Sequence, residues 1–468
     1  MNQADYLAQD ATGLADLIKR REVSAGEVLE AAIARMAEVN PKINAVTLDL
    51  SDQARAATPA DGPLSGVPYL IKDLGAHVAG TSTSGGSRLF QDVVQPADSA
   101  IVSAYRKAGL VIFGKTNTPE FGLEPVTEPE AFGPSRNPWN LDNTPGGSSG
   151  GASAAVAGGI VPAAHASDGG GSIRCPASCT GLFGLKPSRG RVSFAPANEG
   201  WGGFSIQHAV TRSVRDSAAL LDAVCKPVAG DPYWMTPPER PYTQEVGRDP
   251  GKLRIGFFAG SFSAADIDPE CAAAVHAAAK LCESLGHEVV EAKPDADFAG
   301  ARAAAGQVIA PSIAATLEIE GRRRGRPVEL GEVEGLTLAL AKQGEGVPAS
   351  AYIQAIQTAH AFGRAVARYF ETYDVLLTST MGRPPVPVGW LRGGPREQYV
   401  DRLFSFMSNT QAFNITGQPA MTVPLAWSQG GLPIGLQFVG RMGDEAGLFR
   451  LAGQLEQAAP WGDKRASL

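Results

Sequence analysis

Two glycine-rich segments that carry serines are the parts of this 468-residue sequence with the clearest chemical potential. In the segment 168–174, three consecutive glycines precede Ser172. Because glycine has no Cβ, such a run can turn several backbone N–H groups toward one point beside a hydroxyl nucleophile. These donors would stabilise the oxyanion that forms when the hydroxyl attacks a carbonyl. A flexible turn is the alternative interpretation.

The second segment, 146–157, places glycines and Ser148 directly before a run of small, helix-forming residues. A flexible Gly/Ser linker would not run straight into a helix. The pattern instead predicts a helix whose first N–H groups approach a ligand closely.

A serine nucleophile needs a base, and the sequence leaves its identity open. His165 and Asp168 lie so near Ser172 in the chain that a triad geometry is doubtful, and the apolar neighbours of His165 are typical of a packed histidine. Lys72 ends the apolar segment 66–73, where burial would lower its pKa and leave it neutral. Taken alone, Lys72 is better explained as a surface lysine.

The segment 109–116 matches the phosphate-binding pattern G-x-x-x-x-G-K-[ST] letter for letter. A true phosphate loop follows a strand, whereas the residues before Gly109 have helical spacing and those after it are strand-like. We therefore predict a helix end followed by a strand, without phosphate binding.

The composition excludes several functional classes. The chain has 41 Lys and Arg against 48 Asp and Glu, a net charge of −7, which disfavours nucleic acid as the main partner. The three arginines at 322–324 are a local exception, typical of a solvated helix end. No secretory signal and no apolar run of about 18 residues is visible, so no membrane association is expected.

Cysteine and glycine usage refine this description. The five cysteines are an odd number without the spacing of a disulfide framework or a metal site, which predicts reduced thiols in a cytoplasmic protein without a bound metal. Glycine accounts for 55 residues, about 12% against a usual 7%, without a collagen period.

The elements that must position the serines follow an α/β pattern. A capping box at Ser24 and an Asp98 cap predict early helices, and 268–285 and 448–457 predict later ones. Apolar runs predict strands at 66–73, 110–113, 253–258, 287–291, 374–378 and 419–424. We expect one domain over 1–468 around a large sheet, with a smaller subdomain at about 230–365.

These segments, in this order, resemble the amidase signature family over about residues 6–458. The resemblance rests on the segments 66–73, 114–122, 145–151, 168–174, 181–188, 414–420 and 431–437. It implies the amidase signature fold, a large central mixed β-sheet flanked by helices on both faces, and it implies no cofactor.

The resemblance also implies site roles. Ser172 would be the acyl-forming nucleophile, Lys72 the base, and Ser148, preceded by a cis peptide bond, the relay between them. The oxyanion hole would be formed by the N–H groups of Gly169, Gly170, Gly171 and Ser172, supported by Asp168 and Arg174.

Substrate contacts are expected from Gly122, Ser148, Trp201 and Phe204, with ordinary core packing as the alternative for the two aromatic residues. The stretches 306–345 and 380–405, including Trp390 and Phe404, are further candidate pocket walls. Segments 128–132, 137–141 and 186–191 are similar to the bacterial amidases that include hydrolases of cyclic nylon oligomers. The three glycines before Ser172 depart from the commoner Thr-Gly-Gly or Ala-Ala-Gly forms.

The resemblance predicts a hydrolase that cleaves C–N bonds of small carboxamides through an acyl-enzyme, as a monomer or homodimer. The same attack would suit anilides, esters, carbamates (urethanes) and nylon-type oligoamides. One alternative is the glutaminase subunit of a tRNA-dependent amidotransferase, which needs partner subunits. Another is a non-catalytic binding relative, against which the intact Lys72, Ser148 and Ser172 argue.

Overall fold

The computed structural model describes residues 1–197 and 199–468. In this part of the chain, one sheet contains eleven strands. They are β1 (Val46–Asp49), β2 (Pro68–Lys72), β3 (Val111–Thr116), β4 (Ala163–Asp168), β5 (Phe183–Lys186), β6 (Ile206–Thr211), β7 (Arg254–Phe257), β8 (Glu288–Glu291), β9 (Val375–Ser379), β10 (Ala420–Trp427) and β11 (Pro433–Val439).

The sheet is mixed, with the order β1-β3-β2-β4-β6-β5-β10-β11-β9-β7-β8. Strand β2 pairs in parallel with β3 and β4, and β7 pairs in parallel with β8 and β9. The other neighbouring pairs are antiparallel. The predicted fold class is confirmed.

The helices cover both faces of the sheet. Every residue of β2, β3, β6, β9 and β11 is buried, and successive side chains of a strand point to opposite faces. The helices are α1 (Gln3–Ala8), α2 (Ala11–Lys19), α3 (Ala25–Ile43), α4 (Ser51–Ala56), α5 (Ala100–Lys107), α6 (Gly150–Ala157), α7 (Arg174–Thr180), α8 (Val214–Val224), α9 (Pro269–Ser284), α10 (Phe298–Arg324), α11 (Gly335–Glu345), α12 (Ala349–Thr372), α13 (Tyr399–Phe406), α14 (Ala412–Thr416) and α15 (Glu445–Ala458).

Local sequence signals explain several helix starts. Ser24 and Glu27 form the predicted capping box of α3, and Asp268 caps α9 with Pro269 in its first turn. The predicted Asp98 cap is wrong: α5 begins one residue later, after Ser99. The Asp98 carboxylate instead accepts hydrogen bonds from the Ala79 N–H and the Arg106 guanidinium.

The segment that matched the phosphate-binding pattern has the predicted structure. Gly109 follows α5 with φ +95°, and the residues after it form β3. Lys115, the lysine of the pattern, is buried and lies 2.9 Å from Asp73 in an ion pair. Its side chain therefore supports the turn after β2 and is not free to bind phosphate.

The expected smaller subdomain at about 230–365 stays a prediction. Two strands of this range, β7 and β8, belong to the common sheet. The five cysteines form no disulfide in the described structure. Within the described residues, every helix is too short or too polar to span a bilayer, and no group of three or more His, Cys, Asp or Glu side chains is arranged to hold a metal ion.

The sheet order brings the chemical segments together. Strands β2 and β4 are parallel neighbours, so their carboxyl ends lie at the same edge of the sheet. Lys72 is the last residue of β2, and Asp168, the last of β4, leads into the glycines before Ser172. Helix α6 packs beside these strands and brings Ser148 to the same edge.

Candidate active site

Lys72 is fully buried and its Nζ lies 2.7 Å from the Ser148 Oγ and 3.0 Å from the Ser167 Oγ. Burial lowers the pKa of Lys72 to about 7, against the opposing effect of the Asp168 charge. A protonated amine loses its hydration in such a place, so the neutral form is favoured. Near neutral pH a large fraction of Lys72 can therefore accept a proton.

Ser148 lies just before α6, and the peptide bond between Gly147 and Ser148 is cis. The turn at Gly122 packs directly against this serine. Gly122 has φ +70°, and a Cβ built on it would lie 3.0 Å from the Ser148 Oγ and 2.7 Å from the Leu74 side chain. Only glycine fits this turn without displacing the serine or its neighbour.

Ser172 lies in the loop between β4 and α7, and its carbonyl accepts a hydrogen bond of 3.3 Å from the Ser149 N–H. Ser148, Ser167 and Ser172 line one cavity of about 200 Å³. The structure thus brings three serines to a single cavity, two of which hydrogen-bond the buried Lys72 amine behind it.

The glycines before Ser172 differ in whether their N–H groups have a hydrogen-bond acceptor. The Gly171 N–H donates to the Asp168 Oδ1 at 2.7 Å, so it is already occupied. The N–H groups of Gly169, Gly170 and Ser172 have no acceptor among the residues described. The predicted set of four oxyanion donors is therefore reduced to these three, because the Asp168 carboxylate uses the fourth.

Asp168 and Arg174 form a fully buried ion pair with two contacts of 2.9 and 3.0 Å. Burial opposes the charge on Asp168, but Arg174 outweighs it and holds the pKa of this carboxyl well below its usual range. The carboxylate also accepts the N–H groups of Gly171 and Ile173. The pair thereby shapes the loop that presents Ser172.

Two residues that the sequence analysis did not single out complete this support. Asn414 donates to the Asp168 carboxylate and accepts from Arg174, and Gln437 accepts from Arg174 at 2.7 Å. Both residues belong to the C-terminal segments that carried the family resemblance. Both residues lie more than 240 positions from Asp168 in the sequence, so no local pattern predicts this role.

His165 is buried beside Lys72 and makes no hydrogen bond to a serine among the described residues. Its Nδ1 accepts the Lys72 backbone N–H at 3.3 Å, and its Nε2 therefore carries the proton shared with the Gln207 Oε1 at 3.1 Å. Burial, together with the Lys72 charge, lowers the pKa of His165 to about 3. A neutral imidazole with both nitrogens engaged is a packed histidine and a poor base.

We expect His165→Ala to retain most activity, with kcat lowered by less than about tenfold, because the imidazole takes no proton in the reaction. The lost hydrogen bonds and the small cavity should reduce the free energy of unfolding by about 1–3 kcal/mol. Steady-state kinetics and urea unfolding of the purified variant measure the two effects. Loss of turnover in a fully folded variant would point to a histidine-dependent hydrolase.

The predicted substrate contacts divide into two groups. Gly122 and Trp201 line the cavity with Ser148, whereas Phe204 is buried in the core cluster against which Trp201 packs and does not line the cavity. Trp390 and Phe404 also lie away from the cavity: Trp390 packs near Phe406, and Phe404 stacks under Arg302.

The cavity has lining residues that the sequence did not reveal. Phe121 is one of them. It and the predicted Trp201 both have positive φ, 50° and 54°, which is uncommon for aromatic residues. No local sequence pattern predicts this backbone conformation. Further lining comes from Leu74, Gly75, His77, Phe194, Ala197, Glu199, Gly200, Ser205 and Gln207.

The chain matches the Amidase family model over residues 27–449, which is most of its length. The chain belongs to the amidase family. The amidase is 39% identical to 6-aminohexanoate-cyclic-dimer hydrolase of Paenarthrobacter ureafaciens, with 100% of this chain and 98% of the relative covered. It is 38% identical to Putative amidase AmiC of Mycobacterium tuberculosis, with 97% and 95% covered.

Solved structures of amidases have the same fold as this chain. A structure of 6-aminohexanoate cyclic dimer hydrolase matches with a TM-score of 0.94 and 38% identity, covering 98% of this chain and 99% of that one. A bacterial aryl acylamidase of the amidase signature family matches with a TM-score of 0.88 and 27% identity, covering 97% and 96%. This amidase therefore hydrolyses amide C–N bonds, and the glutaminase alternative is not favoured.

Proposed function

We propose that Ser172 is the acylated nucleophile of this amidase, with Ser148 and Lys72 as its proton relay. The observation that carries this proposal is the contact of 2.7 Å between the Ser148 Oγ and the buried Lys72 amine, on the cavity that Ser172 also lines. An amine with a pKa of about 7 suits a general base at neutral pH.

The reaction begins with the transfer of two protons. Neutral Lys72 accepts the Ser148 proton while Ser148 accepts the Ser172 proton, and the Ser172 Oγ attacks the amide carbon. The N–H groups of Gly169, Gly170 and Ser172 stabilise the oxyanion. Ser148 then donates a proton to the leaving nitrogen, the C–N bond breaks, and Lys72 returns its proton to Ser148.

Water completes the cycle by attacking the Ser172 ester, with the same relay removing its proton. The carboxylic acid leaves and Ser172 recovers its hydrogen. The ion pair of Asp168 and Arg174 takes no part in these transfers and holds the loop before Ser172.

The substrates that fit are small, linear or cyclic carboxamides. The cavity of about 200 Å³ combines apolar walls from Leu74, Phe121, Phe194 and Trp201 with the serine hydroxyls at one side. Anilides, esters and carbamates present the same carbonyl to Ser172 and belong to the proposed range. We expect the protein to act alone, as a cytoplasmic monomer or homodimer. All three residues of the proposed relay belong to one chain, so no partner subunit is needed for the reaction.

Hydrolysis of a substrate panel tests this range. The panel contains hexanamide, the cyclic dimer of 6-aminohexanoate, an anilide, an ethyl ester, an ethyl carbamate and glutamine. We expect aliphatic and cyclic amides to be hydrolysed with kcat/KM at least about tenfold above that for glutamine, because the cavity walls are largely apolar. The loss of each substrate and the appearance of its hydrolysis products are followed by chromatography. Turnover of glutamine alone would contradict the proposal.

A further inference from the structure

The substrate cavity contains one strongly acidic side chain whose purpose the amide chemistry does not explain. Among the described lining residues, Glu199 and His77 are the only titratable groups apart from serines. Burial and the nearby Lys115 lower the pKa of His77, so His77 is neutral in the physiological range. Glu199 is thus the acidic side chain on this wall.

The Glu199 side chain is exposed where it lines the cavity, and its carboxylate accepts a hydrogen bond from the Tyr233 hydroxyl. Among the described residues it forms no ion pair with a lysine, arginine or histidine, although Arg189 lies in the neighbourhood. The Arg189 guanidinium donates to the main-chain carbonyls of Gly203, Asn414 and Ile415. Because these bonds go to the backbone, the Arg189 guanidinium makes no ion pair with the Glu199 carboxylate, whose charge can still attract a cationic group of a substrate.

Aromatic side chains surround the turn that carries Glu199. The Trp201 ring lies against Gly169, where a Cβ would be 2.7 Å from it. Trp201 is two residues from Glu199 in the chain, and both line the cavity. The hydroxyls of Tyr352 and Tyr233 would lie 3.6 and 2.8 Å from Cβ atoms built on Gly202 and Gly203. Burial and then Glu199 raise the pKa of the Tyr352 hydroxyl, consistent with a carboxylate nearby.

We propose that Glu199, with the Trp201 ring beside it, is a specificity site for a positively charged group of the substrate, so that this amidase prefers amides whose chain ends in an alkylammonium. A carboxylate attracts the ammonium directly, and an indole face attracts a cation through its quadrupole. The inference rests on the proposed function, because the scissile amide must reach Ser172 while the ammonium reaches Glu199.

The test compares three amides of matched chain length: 6-aminohexanamide, hexanamide and the monoamide of adipic acid. The wild-type protein should hydrolyse 6-aminohexanamide with kcat/KM at least about tenfold above hexanamide, mainly through KM. In Glu199→Gln this ratio should fall to near one, and in Glu199→Lys the acidic monoamide should become the preferred substrate. Raising the salt concentration should weaken the wild-type preference and leave the Glu199→Gln ratio unchanged.

Glu371→Gln is the matched control, because it removes the same charge from an exposed position near the end of α12, away from the cavity lining. It should keep the wild-type ratio. A wild-type ratio near one, or equal losses on 6-aminohexanamide and hexanamide in Glu199→Gln, would overturn the inference while leaving the amidase activity intact. Failure to hydrolyse all three amides would instead contradict the proposed function.

Discussion

Replacing Ser172 by alanine should abolish amide turnover, with kcat reduced by at least about 10⁴-fold. The reason is that the covalent route requires the Ser172 oxygen, and the remaining N–H donors can only assist a slow direct attack by water. The variant should fold normally, since no side-chain hydrogen bond of Ser172 appears in the described structure. Single-turnover kinetics and mass spectrometry of a trapped acyl-enzyme measure the effect.

Ser153→Ala is the matched control for this experiment. Ser153 is also a buried serine, on α6 close to Ser148, and its hydroxyl has no partner among the described residues. We expect it to retain activity and to react with a fluorophosphonate label, whereas Ser172→Ala does not. Labelling of Ser172→Ala at Ser148, with substantial turnover, would show that the nucleophile has been assigned to the wrong serine.

The second large effect is expected at Lys72. The active form is the neutral amine, so kcat/KM should rise with pH and level off above about 7, the pKa that burial imposes on this lysine. Below that value protonated Lys72 cannot accept the Ser148 proton, and kcat/KM should fall about tenfold per pH unit. Lys72→Met should lose at least about 10³-fold in kcat, together with the inflection near pH 7.

Two variants make the pH experiment specific. Lys342→Met removes an exposed lysine on α11 and should leave both rate and profile unchanged. His165→Ala should keep the inflection near pH 7, because the pKa of His165 lies at about 3. An inflection that persists in Lys72→Met would assign the titration to another group and remove Lys72 from the relay.

The buried ion pair of Asp168 and Arg174 holds the loop before Ser172 without taking part in the proposed proton transfers. Buried ion pairs contribute little net stability, but breaking one by removing a partner is costly. Here the Asp168 carboxylate holds the Gly171 N–H and Arg174. The consequence is a loop whose remaining N–H groups have no acceptor within the described structure and stay available for an oxyanion.

Much of the fold was predictable because its signals are local. The capping box at Ser24, the Asp268–Pro269 start and the apolar runs of β2 and β3 depend on neighbouring residues alone. Their order and the glycine-rich serine segments were sufficient to identify the family. The Asp98 cap failed because a tertiary partner, the Ala79 N–H, competes for that carboxylate.

The sequence by itself determined part of the elements, the family and the three side chains proposed for the relay, because residue types and local spacing carry that information. Only the tertiary structure decided their chemical state and surroundings. Burial between sheet and helices lowers the pKa of Lys72 and places it against Ser148, 76 residues away. Packing also turned Phe204 into the core, assigned the Gly171 N–H to Asp168 and left Glu199 on the cavity wall, since these outcomes depend on contacts between distant segments.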